Sequence, residues 1–121
     1  MESEHPENQY YTLTFGTDLI IDPLHRQVLL KGSLLKLTRK EFNMLHFLVS
    51  HPGQVFTREQ LYTRIWGCDS DFNVDESVRS HIKFLRRKLA SSGKEYIQTV
   101  WGIGYRFAPQ ERDTASKIAL R

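Results

Sequence analysis

The sequence contains a single cysteine, Cys68, among its 121 residues, so no disulfide can form within the chain. A lone cysteine is typical of proteins from a reducing compartment. No apolar run approaches the roughly 20 residues that a membrane-spanning helix needs, and the opening residues MESEHPENQ are too acidic and polar for a signal peptide. These absences argue against a secreted mini-protein and a membrane protein, and they favour a cytoplasmic location.

The sequence also has few of the patterns that carry catalysis or bind metals. The possible ligands His46, His51, Cys68, Asp69 and Asp71 form no CxxC, HExxH or HxxxH spacing. The Gly-Ile-Gly segment near the C terminus is not followed by the Lys-Ser or Lys-Thr pair of a phosphate-binding loop. We therefore expect no metal, no cofactor and no enzymatic activity.

The composition is that of a globular protein, with 40% hydrophobic and 26% charged residues, close to the averages for folded domains. A chain of this length can bury roughly two-thirds of its unfolded surface. We expect one domain over residues 10–108. Residues 1–9 are predicted to be a linker or an expression remnant, and residues 109–121 a flexible tail with at most a weak helical turn in KIALR.

The net charge of +3 is concentrated in one segment. Residues 75–89 hold five basic and two acidic side chains, which accounts for the whole excess. A basic element on a neutral body is typical of proteins that bind polyanions. An ordinary solvated helix face has the same pattern, so charge alone leaves both interpretations open.

Short strands are predicted first along the chain, and helices follow them. YYTLTF, DLIID, RQVLLK and SLLKL are separated by turn-like residues and predict a four-stranded antiparallel meander, which must pack on another layer. Thr38 and Thr57 each open a helix with a capping box, because Glu41 and Gln60 follow three residues later. A third helix is predicted from residue 73 or 75 to about residue 89.

The third helix is apolar on one side and basic on the other. Its apolar residues fall within one arc of about 60° at about 100° per residue, which predicts a core-facing stripe of Val78, Ile82, Leu85 and Leu89. The other face carries Arg79, Lys83, Arg86 and Arg87, with Ser77, Ser80 and Phe84 beside them.

The strand-like runs EYIQTV and YRFA, joined by WGIG, predict a terminal hairpin whose glycines permit positive φ angles. The predicted fold class is therefore α+β, a winged helix-turn-helix with an N-terminal four-stranded antiparallel sheet, three helices and a C-terminal β-hairpin wing. The third helix is long enough to lie in a DNA major groove, where Ser77, Ser80, His81 and Phe84 are candidates for base contacts. The hairpin can reach the adjacent backbone or minor groove.

Specific stretches resemble one family over about residues 10–108. They are LTRKEFNMLHFLVSHPGQVFTREQL in the first two helices, RIWG at the end of the second, VDESVRSHIKFLRRKL in the third, and IQTVWGIGYRF in the hairpin. In this order and spacing they resemble the effector domain of the OmpR/PhoB-type response regulators. The resemblance implies a bacterial transcription regulator that binds double-stranded DNA at tandem direct-repeat half-sites.

The resemblance also implies roles for individual residues. Phosphate contacts carry over to Arg58, Trp66, Thr99 and Tyr105. Recognition-helix contacts carry over to Glu76, Ser77, Ser80, His81, Lys83, Phe84 and Arg86. Arg79 and Arg87 join this set because they share the basic face, and Arg106 joins it as a nearby charge in the wing.

Several of these residues have a second interpretation. Glu76 stands where many members have a basic residue; it either accepts a hydrogen bond from cytosine or, as we favour, stabilises the helix N-terminus. Trp66 and His81 also fit partly buried packing roles. Phe84 packs either on the wing or on a base.

Trp101 stands where many members have an arginine at the wing tip. An indole can pack on sugars and donate one N–H to a phosphate, so we expect affinity with little base discrimination. The alternative is that Trp101 folds back on the third helix, against Phe84 or Lys88.

Further partners follow from the resemblance. The loop at residues 67–72 contacts RNA polymerase in some members, and Asp69 and Asp71 suit a basic protein partner, although aspartate also simply favours turns. Members usually carry a receiver domain controlled by a sensor kinase, which residues 1–9 cannot supply, so the chain is either an excised effector domain or a stand-alone regulator. The alternative function is a winged helix that binds protein or RNA.

Overall fold

The computed structural model describes residues 11–67, 73–108 and 115–119. The strands are β1 (Tyr11–Phe15), β2 (Leu19–Asp22), β3 (Gln27–Leu30), β4 (Ser33–Leu35), β5 (Phe56–Thr57), β6 (Ile97–Val100), β7 (Gly104–Phe107) and β8 (Ala115–Ala119). The helices are α1 (Arg39–Val49), α2 (Arg58–Trp66) and α3 (Val74–Leu89), and a single 3-10 turn (Ala90–Ser92) follows α3.

The N-terminal sheet is antiparallel and has the order β4-β3-β2-β1-β8. Its first four strands form the predicted meander, with Leu19 opposite Leu30 and Ile21 opposite Val28. These four side chains are buried in the core shared with the helices. The predicted four-stranded arrangement is therefore confirmed, because alternating apolar residues turn one face of the sheet inward.

The fifth strand of this sheet comes from the C-terminal segment, where the sequence predicted a flexible tail. That prediction is wrong for residues 115–119, since β8 pairs with β1 from Phe15 opposite Ala115 to Tyr11 opposite Ala119. Without β8, β1 would be an edge strand with unpaired backbone groups. Only the folded sheet brings that edge next to the C-terminal segment.

Both predicted capping boxes are present. Thr38 Oγ1 accepts a hydrogen bond from the Glu41 amide at 3.2 Å, and the Glu41 carboxylate accepts one from the Thr38 amide at 2.9 Å. Thr57 and Gln60 repeat this exchange at 3.0 and 2.8 Å. Because the first amides of a helix have no partner within it, these caps set where α1 and α2 begin.

Helix α3 packs on the core through the predicted apolar stripe. Val78, Ile82, Leu85 and Leu89 are each 2% exposed or less. The helix begins after Asn73, which has a φ of 48°. Burial of this stripe leaves the opposite face of α3 for solvent or a partner.

A buried carboxylate joins the start of α1 to the end of α3. Lys88 Nζ donates to Glu41 Oε1 at 2.6 Å and to the carbonyl of Lys36 at 3.0 Å. Burial by itself raises the pKa of Glu41, but hydrogen bonds from Lys88 and the Thr38 amide outweigh it, so the pKa lies below its ordinary value. The charged pair therefore holds the C-terminal end of α3 on α1.

The C-terminal sheet has the order β5-β7-β6. The predicted β6–β7 hairpin is confirmed, with Val100 opposite Gly104. Strand β5 was not predicted, because two residues show no strand pattern and Thr57 also caps α2. It pairs with β7 through Phe56 opposite Tyr105, which joins the wing to the helical core.

The two wing glycines have different roles. Gly102 has a φ of 80° at the third position of a turn that is closed by the hydrogen bond from the Ile103 amide to the Val100 carbonyl at 2.9 Å. A positive φ at this position favours glycine. Gly104 does not have a positive φ, but a Cβ there would overlap the carbonyl oxygen of Phe56. The prediction that both glycines supply positive φ angles is right for Gly102 and wrong for Gly104.

Candidate nucleic-acid interface

The outward face of α3 carries three exposed cations, Arg79, Lys83 and Arg87. Arg79 and Lys83 make no ion pair with another residue in the described ranges. Ser77 and Ser80 are half-buried on the same helix. This face therefore offers positive charge that no carboxylate of the described residues neutralises through an ion pair.

Arg86 does not join these free cations, although the sequence placed it on the same face. Its Nε donates to the Ile97 carbonyl at 3.1 Å and its Nη2 donates to Thr99 Oγ1 at 2.7 Å. Its guanidinium carbon lies 5.7 Å from the centroid of the Tyr105 ring. Arg86 thus ties the recognition helix to both strands of the wing.

We expect Arg86→Ala to lower the free energy of unfolding by about 1–2 kcal/mol, because two hydrogen bonds from a charged donor are lost. DNA affinity should fall as well, since the wing loses its attachment to α3. Arg87→Ala is the matched control, because Arg87 is the exposed neighbour. Urea unfolding of both variants tests this, and equal stabilities would contradict the positioning role of Arg86.

Trp66 is a packed residue as well as a candidate phosphate contact. Its ring stacks on Tyr62, with centroids 5.0 Å apart, and is perpendicular to the His81 ring, with centroids 4.8 Å apart. It is partly buried against the core, and Lys40 Nζ lies 5.6 Å from its ring centroid. Packing therefore accounts for its position, and a phosphate contact by its N–H stays a prediction.

His81 and Phe84 lie on the same flank of the apolar stripe of α3, with Phe84 further from the stripe. The Nδ1 atom of His81 is 2.9 Å from the carbonyl oxygen of Ser77, and the ring is half-buried beside Trp66. Phe84 is 42% exposed, with the guanidinium carbon of Arg87 5.9 Å from its ring centroid. Of the two aromatic rings, Phe84 is the one open to a partner.

The N-terminal turn of α3 carries Asp75 and Glu76. Arg58 Nε donates to Asp75 Oδ1 at 2.9 Å, so this predicted phosphate contact also links α2 to α3. That hydrogen bond and the charge of Asp75 raise the pKa of Arg58 above its ordinary value. Glu76 is exposed at a position that favours acidic side chains, and its contact with a base stays a prediction.

The four predicted wing residues differ in their environments. Thr99 Oγ1 accepts a hydrogen bond from Arg86 Nη2, and Tyr105 is buried, with 6% of its surface exposed. Arg106 Nε donates across the hairpin to Gln98 Oε1 at 3.0 Å. Trp101 is 88% exposed at the tip, so the alternative in which it folds back on the third helix is wrong.

Two residues that the sequence analysis did not select lie at this surface. Ile103 is 52% exposed in the wing turn, and Lys40 approaches Trp66 from α1. The signal for Ile103 was its place beside Trp101 in the same tight turn. The sequence has no signal for Lys40, because its contact joins two separate helices.

Some predicted features concern parts of the chain that are not described. Asp69 and Asp71, the candidate RNA polymerase contacts, lie outside the described residues. Among the residues that are described, no group of three or more His, Cys, Asp or Glu side chains is placed to hold a metal ion. Within the same ranges, no helix has the length and apolar character needed to cross a bilayer.

A helical core whose third helix is basic on its outer face and is followed by a β-hairpin defines a winged helix-turn-helix. The chain belongs to the family described as "Transcriptional regulatory protein, C terminal", whose pattern matches residues 32–107. It is an effector domain of the OmpR/PhoB type.

Similar proteins include transcriptional regulators of several bacteria. YclJ of Bacillus subtilis, an uncharacterized transcriptional regulatory protein, is 49% identical over 83 residues, which are 68% of this chain and 36% of YclJ. The phosphate regulon transcriptional regulatory protein PhoB of Klebsiella pneumoniae is 41% identical over 74% of this chain and 39% of PhoB. The chain thus spans well under half the length of these curated relatives.

A solved structure agrees with this comparison. The RstA DNA-binding domain of Klebsiella pneumoniae, in complex with the RstA box, has a TM-score of 0.71 and 40% sequence identity. The match covers 82% of this chain and 98% of the RstA chain. The fold and its winged helix-turn-helix are therefore shared along almost the whole RstA domain.

Proposed function

We propose that this chain binds double-stranded DNA sequence-specifically, with α3 in the major groove and the wing against the adjacent backbone or minor groove. The observation that carries the proposal is the outward face of α3, where Arg79, Lys83 and Arg87 are exposed while the opposite face is buried. A major groove admits one α-helix, and unpaired cations on that helix neutralise phosphates. The RstA domain in complex with the RstA box supports this use of the fold.

The proposed contacts divide by chemistry. The proposed phosphate contacts are Arg58, Trp66, Arg79, Lys83, Arg87, Thr99, Tyr105 and Arg106. The candidates for base edges or thymine methyl groups are Ser77, Ser80 and Phe84, with His81 at the half-buried margin of this set. Glu76 is a candidate for a cytosine amino group, although we favour its role at the helix N-terminus. Arg86 positions the wing, with its remaining N–H groups available to a phosphate.

We further propose that the chain regulates bacterial transcription in the cytoplasm, as the effector part of a two-component response regulator. The names of the relatives and their greater length support this. The same proposal includes a receiver domain, a sensor kinase and tandem direct-repeat half-sites on the DNA. It also includes a contact of Asp69 and Asp71 with RNA polymerase. The role is one of binding, without catalysis by this domain.

A salt titration of DNA affinity tests the proposal, using duplexes that the domain selects from a random pool. The logarithm of the affinity should fall linearly with the logarithm of the salt concentration, by about one unit of slope per phosphate neutralised. Lys83→Gln should weaken binding and reduce the slope by about 1.

Lys31→Gln is the matched control, because Lys31 is exposed in the turn between β3 and β4, on a different element from α3. It should leave both affinity and slope unchanged. Equal slopes for the two variants would contradict the placement of α3 in the groove. Selection of no duplex, or preference for single-stranded RNA, would overturn the proposed function itself.

A further inference from the structure

The tip of the wing, residues 101–103, presents apolar surface to solvent. Trp101 is 88% exposed and Ile103 is 52% exposed. The turn holds no cationic side chain, since its sequence is Trp-Gly-Ile. Two large apolar side chains at one exposed turn are costly to leave in water, so this tip is suited to a partner surface.

The tip is held in place by the strands that carry it. The Ile103 amide donates to the Val100 carbonyl at 2.9 Å, and Gly102 supplies the positive φ of 80° that the turn needs. Behind the turn, Gly104 brings β7 against the backbone of Phe56. The two apolar side chains are therefore carried by a hairpin whose backbone is fixed by these contacts.

We propose that Trp101 and Ile103 form an apolar wedge that enters the DNA minor groove beside α3, partly unstacks one base-pair step and bends the duplex. This inference rests on the proposed DNA binding and specifies its chemistry. The partner is DNA because Arg86 bonds the wing to the helix that carries the unpaired cations. Apolar side chains inserted from the minor groove kink DNA in this way.

The wedge reads deformability and not base edges. An indole and a butyl group offer one hydrogen-bond donor between them, so they cannot distinguish base pairs by direct contacts. Pyrimidine–purine steps such as TA unstack at a lower cost than A-tracts, whose narrow minor groove instead attracts arginine. The domain should therefore prefer a flexible step under the wing, with little preference for individual bases there.

The test uses duplexes that the wild-type domain selects from a random pool, with dyes at both ends and 2-aminopurine scanned through the segment beside the α3 site. Wild-type protein should bring the dyes closer and raise 2-aminopurine fluorescence several-fold at one step. Replacing that step by AA should weaken wild-type binding roughly tenfold, as expected when deformation energy is read. Trp101→Ala with Ile103→Ala should bind straighter DNA and lose this dependence on the step.

Trp101→Arg provides the matched variant, because it places a charged side chain at the tip of the same hairpin. It should bind without unstacking and prefer the A-tract duplex. Thermal unfolding of each variant should match the wild type, since both side chains are exposed. If the wild type and the alanine variant both bind DNA in a salt-dependent way and show the same DNA bend, the same 2-aminopurine fluorescence and the same step preference, the wedge is overturned. The proposed DNA binding would stand in that case. Loss of all salt-dependent duplex binding by the wild type would overturn the proposed function with it.

Discussion

Gly104→Ala is expected to lower the free energy of unfolding by about 3 kcal/mol, near the upper end of what overpacking costs. The added Cβ would overlap the carbonyl oxygen of Phe56 and lie 2.9 Å from the Cα of Thr57. Both obstacles are backbone atoms in β5, and Thr57 also caps α2. The clash therefore cannot be relieved by rotating a side chain, and must separate the wing from the core.

Gly102→Ala, two residues away, is the control for this prediction. Its Cβ would meet no atom within 4 Å, but its φ of 80° in the left-handed region still strains an alanine, at about 1–2 kcal/mol. Urea unfolding monitored by circular dichroism measures both variants. If Gly104→Ala were no less stable than Gly102→Ala, the close approach of β5 and β7 would be incorrect.

Lys88→Met is expected to lower the free energy of unfolding by about 2 kcal/mol at neutral pH. Removing one partner of a buried ion pair leaves a charge without compensation, and the partial exposure of Lys88 reduces that cost. Among the described residues, the carboxylate of Glu41, which is 4% exposed, would keep the Thr38 amide as its hydrogen-bond donor. Lys83→Met is the matched control on the same helix, and its exposed, unpaired side chain predicts little change.

The pH dependence distinguishes this pair from simple packing. The pKa of Glu41 is lowered in the folded protein, so its contribution is complete above the ordinary pKa of 4.5 and is lost as pH falls through the lower folded value. In Lys88→Met, burial without the cation raises the pKa of Glu41, and protonation relieves the penalty. The stability difference should therefore shrink as pH falls through a window that begins above 4.5, at the raised pKa of the variant, and ends below 4.5, at the lowered pKa of the wild type. A difference that does not vary between pH 7 and pH 3 would show that Lys88 acts through its hydrocarbon stem.

Local patterns determined much of the fold. The capping boxes at Thr38 and Thr57 set the helix starts, because each supplies the first turn with the partners that it lacks. The spacing of Val78, Ile82, Leu85 and Leu89 set which face of α3 is buried, because residues three and four apart share one side of a helix. Consequently the basic face of α3 could also be assigned from the sequence.

Contacts between distant segments were decided only by the tertiary structure. Arg86 belongs to the basic face by helical periodicity, yet the Ile97 carbonyl and Thr99 hydroxyl lie close enough to turn its guanidinium onto the wing. The pairing of β8 with β1 and of β5 with β7 depends in the same way on which edges the fold brings together. Periodicity indicates the direction in which a side chain leaves its own helix or strand. It does not indicate which hydrogen-bonding group lies in that direction, because that partner belongs to another part of the chain.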